Sequence, residues 1–136
     1  ISFTDMMATF ASLLGEKLPD DAGEDSFDIS PLLRGARPTQ PIRNSMVHVN
    51  YGSYTLGIRE GDWKLILPSG IYVALDGIIT PDHIVETKGK GPNDKFQLYN
   101  LRTDPGESTN VFAQEPDKAK ELFAALQADI ARGRSR

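Results

Sequence analysis

The sequence lacks cysteine, and this absence removes several kinds of chemistry at once. With no thiol among its 136 residues, the chain can form no disulfide, no thiolate metal site and no cysteine nucleophile. The absence says little about the compartment, because a domain of this size buries roughly 68% of its unfolded surface and can fold without crosslinks. We therefore expect a domain that is held together by a hydrophobic core.

Long apolar runs and an excess of positive charge are also missing. No stretch approaches the ~20 apolar residues that a membrane-spanning helix requires. Fifteen Lys and Arg stand against nineteen Asp and Glu, which gives a formal net charge of -4. The charges are spread along the chain, so the sequence argues against nucleic acid and against an anionic membrane as partners.

The first residues contain neither start methionine nor signal peptide. The chain begins with Ile1, and neither a basic segment nor a long apolar core follows it. We therefore expect the chain to be a piece of a longer protein.

Periodic apolar residues predict one helix near each end of the chain. The first helix lies within residues 2–14, with Ser2 and Asp5 or else Thr4 as its cap and Gly15 as its stop. Its apolar residues share one helical face and are Phe3, Met7, Phe10 and Leu14. The second helix begins near Pro116. Its stripe contains Ala119, Leu122, Phe123, Leu126 and Ile130.

Between the helices, β-branched and aromatic residues predict strands, chiefly within 45–49, 54–59, 62–67 and 96–101. Gly61 favours a hairpin between the second and third strands. Residues 71–75 could add a further strand, and residues 76–95 form a long connection. The predicted fold is α+β: a small antiparallel sheet of about four strands that packs against the C-terminal helix, with an additional N-terminal helix. We expect residues 1–41 to form a helix and loop segment and residues 42–136 to form a sheet-and-helix subdomain.

Few residues suggest chemistry. No serine lies in a nucleophile elbow and no glycine-rich phosphate loop is present, so we predict no catalytic residue. An acidic cluster at Asp20, Asp21, Glu24, Asp25 and Asp28 could hold Ca²⁺, but a solvated acidic loop explains it better, and we predict no metal ligand. Asp104 and Glu107 are interpreted as parts of a turn.

His48 is the exception. It lies inside a predicted strand between Val47 and Val49, so its side chain points away from theirs. If the valines face the core, His48 faces solvent or a cleft, where it could bind a sulfate or a sugar hydroxyl. The alternative is that His48 is an ordinary strand residue that binds no ligand. His83, in the long connection, is interpreted as a surface residue.

The order of several blocks resembles the C-terminal portion of the sulfatase family, of the formylglycine-dependent arylsulfatase A type. The blocks are residues 4–15, 25–35, 58–66, 97–101 and 104–110, with 133–135 at the end. The resemblance implies a sulfuric-ester hydrolase whose formylglycine and Ca²⁺ lie in an N-terminal catalytic domain, the expected partner of this chain. It also implies a sulfated carbohydrate or aryl sulfate as substrate, and a periplasmic or secreted location.

The catalytic elements of the family are not found in this chain. Formylglycine forms in a Cys/Ser-x-Pro-x-Arg motif, whereas Ser30 is followed directly by Pro31 and the second position after it is Leu32. In the sulfatases that this chain resembles, a histidine that precedes a Gly-Ser-aromatic segment lies near the substrate pocket. His48, followed by residues 52–54, matches that arrangement. We therefore expect a pocket-lining subdomain that is not catalytic alone. The alternatives are a free-standing module that binds sulfated carbohydrates and a structural domain without a ligand.

Overall fold

A computed structural model describes residues 1–50, 55–68 and 95–135, with the side chain of residue 50 excluded. The described elements occur in the order of a 3₁₀ turn at Phe3–Asp5, α1 (Met6–Leu14), α2 (Ser30–Leu33), β1 (Ser45–Asn50), β2 (Thr55–Glu60), β3 (Trp63–Ile66), β4 (Gln97–Asn100) and α3 (Pro116–Arg132). The α+β prediction is confirmed. The possible strand at 71–75, the long connection and His83 lie outside the described residues.

The chain divides into two compact units. The N-terminal unit comprises Ile1–Asn44 together with Arg132–Arg136, and the sheet unit comprises Ser45–Ala131. No helix in the described ranges is long and apolar enough to cross a bilayer.

In the part of the sheet unit that the structure describes, four antiparallel strands lie in the order β1-β2-β3-β4. Gly61, with a φ of 56°, lies in the β2–β3 turn, as its position in the sequence predicts. Alternation puts Leu65 and Leu67 on the apolar face of β3, where both are buried. That face and one side of α3 form a single core made of Leu56, Ile58, Leu65, Leu67, Phe96, Leu98, Ala119, Leu122, Phe123 and Leu126.

Aromatic contacts fix the middle of this core. The ring of Phe96 stacks on Phe112 with centroids 5.3 Å apart and meets Phe123 edge-on at 6.5 Å. The α3 stripe is buried from Ala119 to Leu126, whereas Ile130 is 38% exposed. Each fully buried Leu or Phe contributes about 1.5–3 kcal/mol, so burial of the stripe is the main force that holds α3 in place.

The N-terminal unit is held by polar groups instead. Ser2 and Asp5 form a capping box ahead of α1, and Gly15 ends the helix with a φ of 75°. Thr9 donates to the Asp5 carbonyl at 2.6 Å and accepts from the amide of Ile29 at 3.1 Å. Both Asp5 and Thr9 are fully buried. The interior of this unit is therefore a hydrogen-bonded network, which includes one large buried apolar residue, Ile29.

Candidate functional site

The sheet face opposite the core carries a group of polar side chains, which we call the polar face. It comprises His48 on β1, Gly57 on β2, Lys64 on β3, Tyr99 on β4 and, from the loop after β4, Glu107. The register pairs His48 with Gly57 and Lys64 with Tyr99. Because side chains alternate along a strand, these four strand residues share one side of the sheet.

His48 is half-buried and lies across β2. A Cβ atom added to Gly57 would be 2.6 Å from Nε2 of His48 and 2.8 Å from its Cε1, so the imidazole occupies the space that any other residue would fill. Burial lowers the pKa of His48 below its ordinary value, the Lys64 ammonium lowers it further, and Glu107 acts in the opposite direction. The lowered pKa favours the uncharged form of His48 at neutral pH.

Lys64 and Glu107 form an ion pair that sequence reasoning missed. Nζ of Lys64 donates to both carboxylate oxygens of Glu107, at 2.7 and 2.9 Å. The two residues are 43 positions apart, and no local pattern signals the contact. The sequence predicts only that Glu107 is part of a turn.

The turn around Asp104 is local capping, as predicted. Its carboxylate accepts from the amides of Ser108 at 3.1 Å and Thr109 at 2.8 Å, and these bonds lower the pKa of Asp104. Asn110 is structural as well, since its side chain accepts from the Leu98 amide and donates to the Phe96 carbonyl, each at 3.0 Å.

Two residues of the acidic cluster make structural contacts. Asp25 accepts from the amide of Ser135 at 2.8 Å, and Asp28 accepts from the amide of Ser30 at 2.7 Å. Burial raises the pKa of Asp28, but hydrogen bonds from Ser12 and Ser30 outweigh it and the net direction is downward. Within the described ranges, no group of three or more His, Asp or Glu side chains is placed to hold a metal ion.

A second feature lies on α1, where the apolar residues face outward. Phe3 is 95% exposed, Phe10 58% and Leu14 79%, and Met7 is half-exposed. We call these four residues the apolar stripe. The sequence predicted the helix and the shared face, and the stripe is not part of the core that the sheet unit forms.

Comparison with known proteins gives relatives of one kind. No protein-family model matches the sequence. An N-acetylgalactosamine-6-O-sulfatase from Bacteroides thetaiotaomicron is 36% identical over 91% of this chain and 22% of its own length. An ulvan-active sulfatase from Formosa agariphila is 28% identical over 94% of this chain and 29% of its own length. The chain thus spans about a quarter of the length of these relatives.

Solved structures agree on the fold. One described with the metabolism of multiple glycosaminoglycans by Bacteroides thetaiotaomicron is 32% identical, covers 91% of this chain and 24% of its own, and has a TM-score of 0.64. Another, in complex with its substrate D-glucosamine-2-N,6-O-disulfate, is 22% identical with a TM-score of 0.59 over 91% of this chain and 22% of its own. The second likeness supports the fold alone.

Proposed function

Because this chain belongs to the sulfatase family and corresponds to the C-terminal portion of its members, we propose that it packs on a sulfatase catalytic domain and lines one side of the substrate pocket. Residues 1–41 join that domain in this proposal, and residues 42–136 are the pocket-lining subdomain. The observation that carries the packing is the apolar stripe.

In the N-terminal unit, polar residues are buried and the apolar stripe is exposed, which is the reverse of the arrangement in an ordinary amphipathic helix. Asp5 and Thr9 are fully buried beside α1, while Phe3 and Phe10 on the same segment are more than half exposed. Burying a Phe side chain contributes about 1.5–3 kcal/mol. A helix that leaves four large apolar residues in water gains that stability only when another surface covers them.

The occupant that fits is the rest of a sulfatase chain. The relatives are roughly four times as long as the part that this chain matches, since the match covers only 22% and 29% of their lengths. The remainder of a sulfatase is a large partner, and it would be joined to the same polypeptide. Attachment through the chain makes the contact intramolecular, so even a modest apolar surface is enough to dock it.

The family's cofactors do not fit the residues of this chain. The sequence has no cysteine, and Ser30 lacks the proline that a formylglycine motif needs. Of the acidic cluster, Asp25 and Asp28 already accept hydrogen bonds from backbone amides. Formylglycine and Ca²⁺ would therefore belong to the catalytic domain, and no step of the reaction is assigned to residues here.

His48 is the proposed substrate-side residue. It stands on the sheet face that the core does not use, and its half-buried imidazole can exchange hydrogen bonds with a ligand. The curated relatives carry names that specify sulfated carbohydrates, N-acetylgalactosamine 6-O-sulfate and ulvan. We propose a sulfated carbohydrate as the substrate class.

A chimera tests the proposal. The matching C-terminal part of the Bacteroides sulfatase is replaced by this chain, and hydrolysis of 6-O-sulfated N-acetylgalactosamine is measured. We expect turnover by the chimera, none by the 136-residue chain alone with an aryl sulfate, and a lower kcat/KM on His48→Ala. Val49→Ala, at an exposed position on the other side of β1, is the matched control.

Two results contradict the proposal. Turnover by the isolated chain contradicts the non-catalytic role, and a folded chimera in which His48→Ala changes nothing contradicts the pocket wall. If the chimera does not fold, association of the isolated chain with the separately expressed catalytic part of the relative is measured by calorimetry. Binding of a sulfated glycan by the isolated chain alone supports a free-standing module instead.

A further inference from the structure

We infer that Gly57 and Lys64 are positioning residues that hold His48 as an uncharged hydrogen-bonding group, which contacts a hydroxyl or amide of the carbohydrate rather than its sulfate. Glu107 holds the ammonium of Lys64 through an ion pair. The inference rests on the proposed function, because it concerns how a substrate-side His48 acts. It assigns His48 to recognition of the sugar, a choice that the proposed function leaves open.

Gly57 provides the space for the imidazole. An added Cβ would be 2.6 Å from Nε2 of His48, and real Cβ atoms essentially never come so close. It would also be 3.1 Å from the carbonyl oxygen of Leu65, which is backbone and yields little. The ring is therefore held against the backbone of β2, and its position depends on the absence of a side chain at 57.

A rigid turn holds Glu107 over the sheet. Glu107 has a φ of 53°, a left-handed conformation that is uncommon for residues other than glycine. Its amide donates to the Asp104 carbonyl at 3.2 Å, and the Asp104 carboxylate binds the amides of Ser108 and Thr109 on its other side. The turn therefore determines where the carboxylate meets Lys64.

Other charged and titratable groups on this face are engaged elsewhere. Nε of Arg59 on β2 donates to the carbonyl of Gly61 at 3.2 Å, within the hairpin. The Tyr99 hydroxyl on β4 donates to Gln97 at 2.6 Å, and burial raises the pKa of Tyr99, so it stays neutral. Among the described residues, Lys64 and Glu107 are the charges that act on the pKa of His48.

The environment of Nδ1 disfavours the charged imidazole. Nδ1 of His48 is buried and has no hydrogen-bond partner in the described part of the chain. A protonated ring carries an N–H on both nitrogens, and a buried N–H without a well-formed partner is costly. A backbone contact with Met46 acts in the opposite direction, but burial and the Lys64 ammonium outweigh it and the pKa of His48 is lowered. A neutral imidazole suits a hydroxyl or amide, whereas an anion such as sulfate prefers a cation.

Nuclear magnetic resonance of the 136-residue chain tests the positioning directly. His83→Gln leaves His48 as the single histidine, since the sequence contains two. We expect a neutral ring with a pKa below the ordinary value. Lys64→Met should raise this pKa and Lys64→Arg should leave it low. Gly57→Ala should shift the ring resonances.

Glu107→Gln separates electrostatics from loosening of the fold. Removal of the carboxylate should lower the pKa of His48 further, whereas partial unfolding would raise it toward the ordinary value. A pKa that is ordinary in the parent chain, or that rises in Glu107→Gln, would overturn the positioning role. This measurement needs no substrate, so its failure is distinct from failure of the proposed function.

The chimera tests the chemical preference. Loss of one neutral hydrogen bond lowers kcat/KM by roughly 2- to 12-fold, and we expect His48→Ala to show this loss with the sulfated sugar. An aryl sulfate, which offers the sulfate without sugar hydroxyls, should show no loss. An equal loss with both substrates would assign His48 to the sulfate and overturn this inference, while the pocket-wall proposal would stand.

Discussion

The two units of this chain differ in the kind of residue that they bury. The sheet unit buries leucine, isoleucine and phenylalanine between the sheet and α3 and turns charged residues outward. The N-terminal unit buries chiefly polar residues, Asp5, Thr9, Ser26 and Ser30, together with Ile29, and its apolar stripe is exposed. The sheet unit has the organisation of a self-sufficient domain, whereas the N-terminal unit has that of a segment whose apolar partner is another surface.

We expect the largest loss of stability from a substitution at the centre of the apolar core of the sheet unit. Phe123→Ala removes a fully buried ring that contacts Phe96, and we expect a loss of about 3–5 kcal/mol in the free energy of unfolding. Ile130→Ala, on the same helix but 38% exposed, is the control and should cost much less. Denaturant titration measures both variants. Equal losses would mean that α3 is not held by its buried stripe.

Loss of the Asp5 carboxylate should destabilise the polar interior of the N-terminal unit. Its carboxylate pairs with Arg43 and accepts from the amides of Ser2 at 2.7 Å and Phe27 at 3.2 Å. Asp5→Ala leaves a partly buried guanidinium unpaired, and we expect a loss of about 3 kcal/mol in the N-terminal unit.

Hydrogen exchange locates that loss. Amides of residues 6–14 should exchange faster in Asp5→Ala, while amides of β2 and β3 keep their protection. Asp21→Ala, at an exposed position, is the control. Faster exchange throughout the chain would show that the two interiors are one cooperative unit, contrary to the comparison.

Acid should affect the two interiors differently. Burial raises the pKa of Asp5, but hydrogen bonds from Arg43 and from the amides of Ser2 and Phe27 outweigh it, so the pKa is lowered in the folded state. A lowered pKa contributes stability above the unfolded value, and this stability is lost as the pH falls below about 4. We expect residues 6–14 to lose protection before β2 and β3, and Asp5→Asn to reduce the pH dependence.

The sequence predicted the apolar half of this molecule better than the polar half. Period-two alternation at Leu65 and Leu67 and the stripe from Ala119 to Leu126 are local patterns, and both predicted faces are the buried ones. Asp5 and Arg43 are 38 residues apart, and hydrogen bonds over such a separation leave no periodic trace. The pattern of α1 predicted a helix correctly, but it could not tell whether the apolar face meets this chain or another surface.

In the candidate site, too, one part of the arrangement could be predicted from the sequence and another part could not. The position of His48 on the non-core side of β1 follows from alternation with Val47, which packs against the core. The ion pair of Lys64 with Glu107 depends on a turn that folds back over the sheet, and the role of Gly57 depends on strand register. Register and loop placement are tertiary properties, so these residues carried no signal in the sequence.

The smallest expected effect on stability is also the sharpest test of the comparison. On α1, Thr9 and Phe10 are neighbours that point in opposite directions, one fully buried and the other 58% exposed. Thr9→Val removes the hydroxyl that accepts from the Ile29 amide and should cost about 1–3 kcal/mol. Phe10→Ser should change the free energy of unfolding by only about 0.5 kcal/mol and should weaken docking to the catalytic part in calorimetry. In an ordinary amphipathic helix, Phe10→Ser would cost more stability than Thr9→Val. If Phe10→Ser proves the more destabilising substitution in this chain, the stripe is packed within the chain and the docking proposal loses its support.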